Sequence, residues 1–174
     1  MEIERKYTVK YIPDLTQNCT KLEIEQGYLC RDPVVRIRKC NDDYILTYKN
    51  KQKTSAVDGN PLINEEIEMP LNEKAFKHLK KKKDGHIIKK TRYVIPLDNG
   101  LKAELDVFHG RLEGLVFVEV EFPDLETAEA FTAPEWFVQD VTSDKRYSNG
   151  HLSELEDLSI FSIKEKEGKE SKKV

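Results

Sequence analysis

Three charged residues near the amino terminus, in the stretch MEIERKY, are spaced two apart. Because successive side chains of a β-strand point to opposite faces, Glu2, Glu4 and Lys6 would lie together on one face of a first strand. Carboxylate oxygens are preferred ligands of Mg²⁺ and Mn²⁺, and ammonium groups pair with phosphate oxygens. The chemistry that such a face could support is the joint binding of a divalent metal and a phosphate compound.

The same alternation recurs along most of the chain and predicts eight strands. Short spacers rich in Asp, Asn, Gly and Pro separate them, which favours antiparallel hairpins. The predicted strands cover residues 2–10, 21–30, 34–40, 43–51, 62–69, 87–95, 101–109 and 115–122.

Sorting each strand by parity gathers the charged residues on one face and apolar residues on the other. The carboxylates on the charged faces are Glu2, Glu4, Glu66, Glu68, Glu104, Asp106, Glu119 and Glu121. The cations are Lys6, Arg36, Arg38, Lys49, Lys90, Arg92 and Lys102. These faces could be the solvent side of an open sheet. The signs are segregated strand by strand, however, whereas a merely soluble surface more often intersperses them.

A closed barrel with the charged faces inward explains this segregation. Burying so many charges is prohibitive unless they are paired, hydrated or matched by a ligand. A polyphosphate with a divalent metal matches both signs. If the sheet closes in this way, the fold is α+β, mainly β, an eight-stranded antiparallel barrel with helices packed outside. It forms a single domain over residues 1–160, followed by a charged, disordered tail over residues 161–174.

Three helices are predicted between and after the strands. The first covers residues 71–85, with Asn72 as its N-cap and Gly85 past its end. The second follows Pro123-Asp124 through the stretch LETAEAF. The third begins at Ser153, because Ser153 and Glu156 have the spacing of a capping box, and its Leu155 and Leu158 face inward.

The composition limits the functional classes. A net charge of −3 over 174 residues argues against a general binder of nucleic acid or anionic membranes. Three cysteines without a close pair predict neither a disulfide framework nor a zinc site. No apolar run approaches the roughly 20 residues of a membrane span, and the charged strand leaves no room for a signal peptide. We expect a cytoplasmic protein.

Nine stretches in order identify a resemblance. They are EIERK, QGYL (26–29), VRIRK (35–39), LTYK (46–49), EEIEM (65–69), KTRY (90–93), ELDVF (104–108), VEVEF (118–122) and DKRYSN (144–149). The chain resembles the CYTH superfamily, the triphosphate tunnel metalloenzymes, over roughly residues 1–158, and most closely their short bacterial inorganic triphosphatases.

The resemblance implies a role for each matching residue. Glu2, Glu4, Glu119 and Glu121 would face the metal, one or two Mg²⁺ or Mn²⁺ ions, and with Lys6 they form the implied catalytic set. The implied triphosphate ligands are Lys6, Arg36, Arg38, Lys49, Lys90, Arg92 and, from the segment after the barrel, Lys145. Further acidic tunnel positions are Glu66, Glu68, Glu104 and Asp106. A purely structural role remains open for Lys90.

The resemblance also implies the reaction, metal-dependent hydrolysis of inorganic tripolyphosphate to pyrophosphate and phosphate. Class IV adenylate cyclase and thiamine triphosphatase are alternatives within the superfamily, and a polyphosphate or nucleotide sensor is the alternative without catalysis. The expected partner is a small molecule with a triphosphate group, not nucleic acid or membrane, and the protein would act as a monomer or homodimer.

Overall fold

The computed structural model describes residues 1–15, 18–51 and 60–161. The strands are β1 (Glu2–Val9), β2 (Thr20–Arg31), β3 (Val34–Cys40), β4 (Asp43–Lys51), β5 (Leu62–Leu71), β6 (Asp84–Pro96), β7 (Lys102–His109), β8 (Val116–Phe122) and β9 (Phe137–Asp140). The α-helices are α1 (Glu73–Lys80), α2 (Leu125–Ala130) and α3 (Asn149–Leu152), and 3₁₀ turns cover Gly110–Leu112 and Lys145–Tyr147.

The first eight strands form a closed antiparallel barrel, as the sequence predicts. Their order is β5-β4-β3-β2-β6-β7-β8-β1, and β1 pairs back onto β5 to complete the circle. Closure depends on the amino terminus, because Glu2, Ile3 and Glu4 pair with residues 64, 63 and 62. The short β9, which the sequence analysis did not predict, pairs with the second half of β1.

The first predicted helix is too long. It ends at Lys80 with its cap at Lys81, and β6 already begins at Asp84. Gly85, expected just past the helix, lies inside β6 with φ +66°. A Cβ at this position would come within 2.5 Å of the Ser153 carbonyl oxygen, so the close approach of that carbonyl requires glycine. The predicted cap Asn72 is confirmed, since its side chain accepts from the Ala75 amide.

The second predicted helix is confirmed and the third is misplaced. α2 begins after Asp124, whose side chain accepts from the Thr127 amide. α3 lies upstream of the prediction and is capped by Ser148, not Ser153. The hydroxyl of Ser153 donates to the Gly150 carbonyl and accepts from Arg31, so it is engaged at the end of α3 and starts no helix.

Two apolar clusters hold the fold together. One lies outside the barrel, where outward side chains of β1, β7 and β8 pack against α2 and the segment that carries Trp136 and Phe137. The other lies at one end of the barrel, where Phe108 and Phe117 pack with Leu152 of α3 and with Tyr147. Leu155, Leu158 and the aromatic ring of Phe161 pack against the second cluster. Residues 162–174, the rest of the predicted tail, lie outside the described residues.

Within the described ranges, none of the helices has the length and apolar composition of a membrane span.

Deleting residues 1–4 should destabilise the barrel strongly. The deletion removes the pairing of β1 with β5 and the buried side chain of Ile3, and losing one such core side chain costs about 2–5 kcal/mol. The melting temperature should fall by at least about 5 °C. A matched deletion of residues 163–174 is the control, and an equal loss in both proteins would contradict the closing role of the terminus.

Candidate active site in the barrel lumen

The register of the strands turns the predicted charged faces toward one another inside the barrel. Lys6 is paired with Glu119, and Arg92 is paired with Asp106. On the other side of the barrel, Thr47 stands between Arg36 and Glu68. Directly opposed residues share a face of the sheet. These pairs therefore place the charged faces of neighbouring strands on the same side of the sheet, all the way around the barrel. The predicted inward faces therefore meet in one lumen.

Exposure along the inward faces shows that the lumen is open at one end and closed at the other. On β7, Lys102 is exposed, whereas Asp106 is fully buried and Phe108 is 1% exposed. On β8, Glu121 is exposed and Phe117 is fully buried. The charged residues thus line a cup whose floor is aromatic.

Arg92 of β6 is held by three carboxylates. Its Nε lies 2.7 Å from Asp106 Oδ1, and its Nη2 donates to Asp106 Oδ2 at 2.8 Å. Nη2 also donates to Glu119 Oε2 at 2.7 Å, and Nη1 donates to Glu104. Burial opposes the charge of the guanidinium, but these carboxylates hold its pKa well above the usual value. Arg92 is fixed in place before any ligand arrives.

Two of the inward lysines, Lys6 and Lys90, contact the segment that closes the barrel. Lys6 Nζ lies 2.8 Å from Glu119 Oε1 and donates to the Tyr147 carbonyl at 2.8 Å. Lys90, with no exposed side-chain surface, lies 2.5 Å from Asp106 and 3.3 Å from the Asn149 side-chain oxygen. Desolvation outweighs its carboxylate neighbour and lowers the pKa of Lys90 to about 8.

The ammonium group of Lys49 is shared by three carboxylates on the wall that includes the amino-terminal strand. Lys49 Nζ contacts Glu2, lies 3.4 Å from Glu66 and lies 4.0 Å from Glu4. The side-chain amide of Asn64 donates to the same oxygen, Glu2 Oε2, at 3.2 Å. This wall therefore carries more negative than positive charge.

The adjoining wall, formed by β3 next to β4, carries the reverse imbalance. Arg36 donates to Thr47 at 3.2 Å and lies 4.0 Å from Glu68. Arg38 forms no ion pair within the described ranges, and the Nε atoms of both arginines are shielded from solvent without a hydrogen-bond partner there. Desolvation, followed by the like charges of Arg36 and Arg92, lowers the pKa of Arg38 to about 10. An anion placed here would satisfy both guanidinium groups.

The acidic wall has the chemistry to hold a divalent cation. Burial away from solvent raises the pKa of Glu4. The positive charge of Lys49 opposes this rise, whereas the negative charges of Glu119 and Glu2 increase it. Desolvation and the nearby carboxylates likewise raise the pKa of Glu121. Within the described residues, no three acidic, histidine or cysteine side chains already stand at metal-binding distance. The residues fit a hard cation by charge and ligand type, and side chains would converge on binding it.

The pH dependence of stability should report this crowding. A raised carboxyl pKa means that the folded protein binds a proton more tightly than the unfolded chain, so Glu4 and Glu121 disfavour folding at neutral pH. This penalty disappears as the pH falls toward 4.5. The pKa values of Glu119 and Asp106 are lowered instead, so these two carboxylates stabilise the fold at neutral pH and lose that stabilisation once the pH falls below the ordinary pKa of a carboxyl group. The melting temperature of the metal-free protein should therefore peak in mild acid.

Thermal melts from pH 4 to pH 8 would measure this profile. Glu4→Gln should flatten the rise between neutral pH and the maximum, because glutamine does not titrate. If the melting temperature of the wild type instead rises steadily up to pH 8, the raised pKa values of Glu4 and Glu121 are contradicted.

Lys145, the remaining predicted triphosphate ligand, takes no part in the lumen ion pairs of the described residues. Lys145 is exposed on a 3₁₀ turn, and its role as a triphosphate ligand stays a prediction. Glu23 and Glu25, which have the spacing of Glu2 and Glu4, face outward and contact Thr91 and Lys80.

Sequence reasoning missed the polar groups that brace the site. The side chains of Asn64 and Asn149 and the carbonyl of Tyr147 hold Glu2, Lys90 and Lys6. The motif DKRYSN contains Tyr147 and Asn149 and was the available signal, although it drew attention to Lys145.

Several known proteins are similar to this chain in sequence and in architecture. The sequence model of the CYTH domain matches residues 1–154. An inorganic triphosphatase of Nitrosomonas europaea is 37% identical over 155 residues, which cover 87% of this chain and 96% of that protein. One from Acetivibrio thermocellus is 37% identical over 154 residues, covering 87% and 92%. The crystal structure of an inorganic triphosphatase has a TM-score of 0.63 and 36% identity, covering 88% of this chain and 94% of that structure.

Proposed function

Because the chain belongs to the CYTH domain family, we propose that it hydrolyses inorganic tripolyphosphate to pyrophosphate and phosphate with the help of a divalent metal. Relatives that are 37% identical over nearly their whole length are inorganic triphosphatases. Their names support the same reaction class for this chain.

The single observation that carries the proposal is the opposite charge imbalance of the two lumen walls. Arg36 and Arg38 have guanidinium nitrogens without partners in the described residues, while Glu2, Glu4 and Glu66 share Lys49. An anion alone would relieve the first wall and aggravate the second. A triphosphate carrying a divalent cation relieves both.

The basic side chains would bind and orient the triphosphate. Arginine forks pair with two phosphate oxygens at once, so Arg36 and Arg38 are suited to hold the anionic chain along their wall. Lys6 lies deeper, above the aromatic floor, with its Nζ 4.7 Å from the centre of the Phe117 ring. Lys6 would contact the end of the triphosphate that enters the cup first. Arg92, Lys49, Lys90 and Lys145 remain proposed ligands.

Four carboxylates are proposed to hold the metal, namely Glu2, Glu4, Glu119 and Glu121. When bound, Mg²⁺ or Mn²⁺ would neutralise phosphate charge and, where a second ion is present, lower the pKa of the attacking water. Glu66, Glu68, Glu104 and Asp106 would orient the cations around them, as Asp106 already does for Arg92.

In the proposed reaction, water attacks a terminal phosphorus and the bond from that phosphorus to the bridging oxygen breaks. The bridging oxygen leaves on pyrophosphate, and the attacked phosphorus leaves as phosphate. Positioning and electrostatic stabilisation suffice for this displacement, and no serine or cysteine nucleophile is needed.

Product analysis tests the proposal. The full chain is incubated with Mg²⁺ or Mn²⁺ and, in separate samples, with tripolyphosphate, ATP or thiamine triphosphate, and the products are resolved by phosphorus NMR. We expect pyrophosphate and phosphate from tripolyphosphate, at a rate well above that with either organic triphosphate.

The same experiment identifies the alternatives. Cyclic AMP from ATP would replace the proposal with an adenylate cyclase, and preferential cleavage of thiamine triphosphate would replace it with a thiamine triphosphatase. Binding of tripolyphosphate by calorimetry, without turnover under either metal, would indicate a sensor.

A further inference from the structure

The amide side chain of Gln26 on β2 is buried inside the cup with one of its polar atoms unpaired. Gln26 lies opposite Arg38 of β3 in register, so it faces the lumen as Arg38 does. It is 0% exposed. Its Nε2 atom donates to the Tyr28 hydroxyl at 3.5 Å, whereas its Oε1 atom has no hydrogen-bond partner within the described residues. A buried acceptor of this kind requires an explanation, because nearly all such atoms in folded proteins are paired.

Gln26 stands just above the aromatic floor of the cup. Ile88 of β6 lies opposite Gln26 in register, and Tyr28 is the next inward residue of β2. Ile88 and Tyr28 both pack in the cluster that contains the floor residues Phe108 and Phe117. The unpaired oxygen of Gln26 therefore lies at the deep end of the lumen.

The chemistry of Gln26 Oε1 limits what can bind it. An amide oxygen only accepts hydrogen bonds, and so do the oxygens of an ionised phosphate, so the two repel each other. A divalent cation is disfavoured here, because Arg36 and Arg38 lie opposite Tyr28 and Gln26 in register and make this wall positive. A water molecule satisfies the position, since it can donate one hydrogen bond to Oε1 and keep its lone pairs free.

In-line displacement places the attacking water at this end of the lumen. The phosphoryl group that enters the cup first has the rest of the triphosphate between itself and the mouth. Its bridging oxygen, the leaving group, therefore points toward the mouth. Because the attacking and leaving oxygens lie roughly in line through the phosphorus, the water must approach from the side of the floor, where Gln26 lies.

We propose that Gln26 orients the water that attacks the deepest phosphoryl group, a role that rests on the proposed triphosphatase function. The hydrogen bond from the water to Oε1 aims a lone pair of the water oxygen at the phosphorus. A new bond forms between them as the bond to the bridging oxygen breaks, and that oxygen keeps the electron pair on pyrophosphate. Both protons of the water leave on the released phosphate, because an amide oxygen is too weakly basic to take either. A glutamine orients the attacking water in GTP-hydrolysing proteins of other folds.

Kinetics and calorimetry of Gln26→Met in the full chain test the proposal. Methionine keeps the length and most of the volume of glutamine but has no amide oxygen. We expect kcat for tripolyphosphate with Mg²⁺ to fall about 10-fold to 100-fold, the value of one strong hydrogen bond. The Kd for tripolyphosphate without divalent metal should stay within about twofold, since the amide oxygen binds water and not phosphate. The melting temperature without ligand should not fall, because the lost acceptor had no partner.

Gln26→Glu is the second variant and should show the reverse pattern. Its carboxylate accepts the same hydrogen bond from water, so kcat should stay within about threefold of the wild type. Its negative charge faces the triphosphate, so the Kd should rise at least about tenfold. Gln139→Met, at an exposed position of β9, is the matched control and should change neither kcat nor Kd.

The wild type distinguishes a failure of this role from a failure of the proposed function. A wild type that releases no phosphate from tripolyphosphate would overturn the function and the role of Gln26 together. If the wild type is active and Gln26→Met has the same kcat, only the role of Gln26 is overturned. Equal losses of kcat in Gln26→Met and Gln26→Glu, each with a lower melting temperature, would show that Gln26 only supports the fold.

Discussion

Replacing Arg38 by methionine should make the ligand-free protein more stable while weakening the binding of tripolyphosphate. The arginine has no ion pair in the described structure, and its pKa is lowered to about 10 by desolvation and by the charges of Arg36 and Arg92. Removing an uncompensated charge relieves that cost, and methionine keeps much of the apolar volume. Affinity should fall about 10-fold to 100-fold, the value of one or two charged hydrogen bonds.

Differential scanning fluorimetry and calorimetry measure the two halves of this result. Without ligand, Arg38→Met should melt above the wild type. With saturating tripolyphosphate and no divalent metal, so that the ligand is not hydrolysed, the order should reverse, because the wild type gains more binding free energy. Arg92→Met is the informative comparison, since it leaves Asp106 and Glu119 without their guanidinium and should destabilise the protein in both states. A ligand-free Arg38→Met protein that melts below the wild type would contradict the unpaired charge.

Glu4→Gln should abolish most metal-dependent turnover in a protein that remains folded. Amide replacement removes the negative charge that a divalent cation needs, while the side chain keeps its size. The pKa of Glu4 is raised, so losing its ionised form should not harm the metal-free fold. We expect kcat to fall about 100-fold to 1,000-fold, comparable to the loss of one preorganised electrostatic group.

Phosphate release at several Mg²⁺ concentrations would measure this effect. Glu23→Gln is the matched control, because Glu23 lies on an outward face of β2 and should leave kcat unchanged. Near-wild-type turnover by Glu4→Gln at every Mg²⁺ concentration would show that Glu4 does not serve the metal.

Glu4 and Glu119 have the same predicted role as metal ligands, but their ion pairs and the directions of their pKa shifts differ in the structure. Glu119 is paired with Lys6 and Arg92 at 2.8 Å and 2.7 Å, and these cations hold its pKa well below the usual value despite burial. Glu119→Gln should therefore lose both stability and turnover, and its melting temperature must be measured before its rate is interpreted. Glu4 gives the cleaner test of metal binding.

Much of the barrel was predictable because strand parity is a local property. The alternation of charged and apolar residues in β1, β7 and β8 determines which side chains share a face, whatever the partners of each strand. The turn residues between the strands indicated hairpins for the same local reason. Elements without a strong local signal were missed or misplaced, as with the four-residue β9 and the short α3.

The sequence by itself determined the composition of the lumen, namely which carboxylates and cations face inward. Only the tertiary structure decided which of them neutralise one another, because the stagger between strands gives Arg92 three carboxylates and leaves Arg38 without an ion pair in the described residues. It also decided that one end of the barrel is closed. The Tyr147 carbonyl that meets Lys6 lies 141 residues away along the chain. Contacts over such separations depend on barrel closure and packing, which no local pattern encodes.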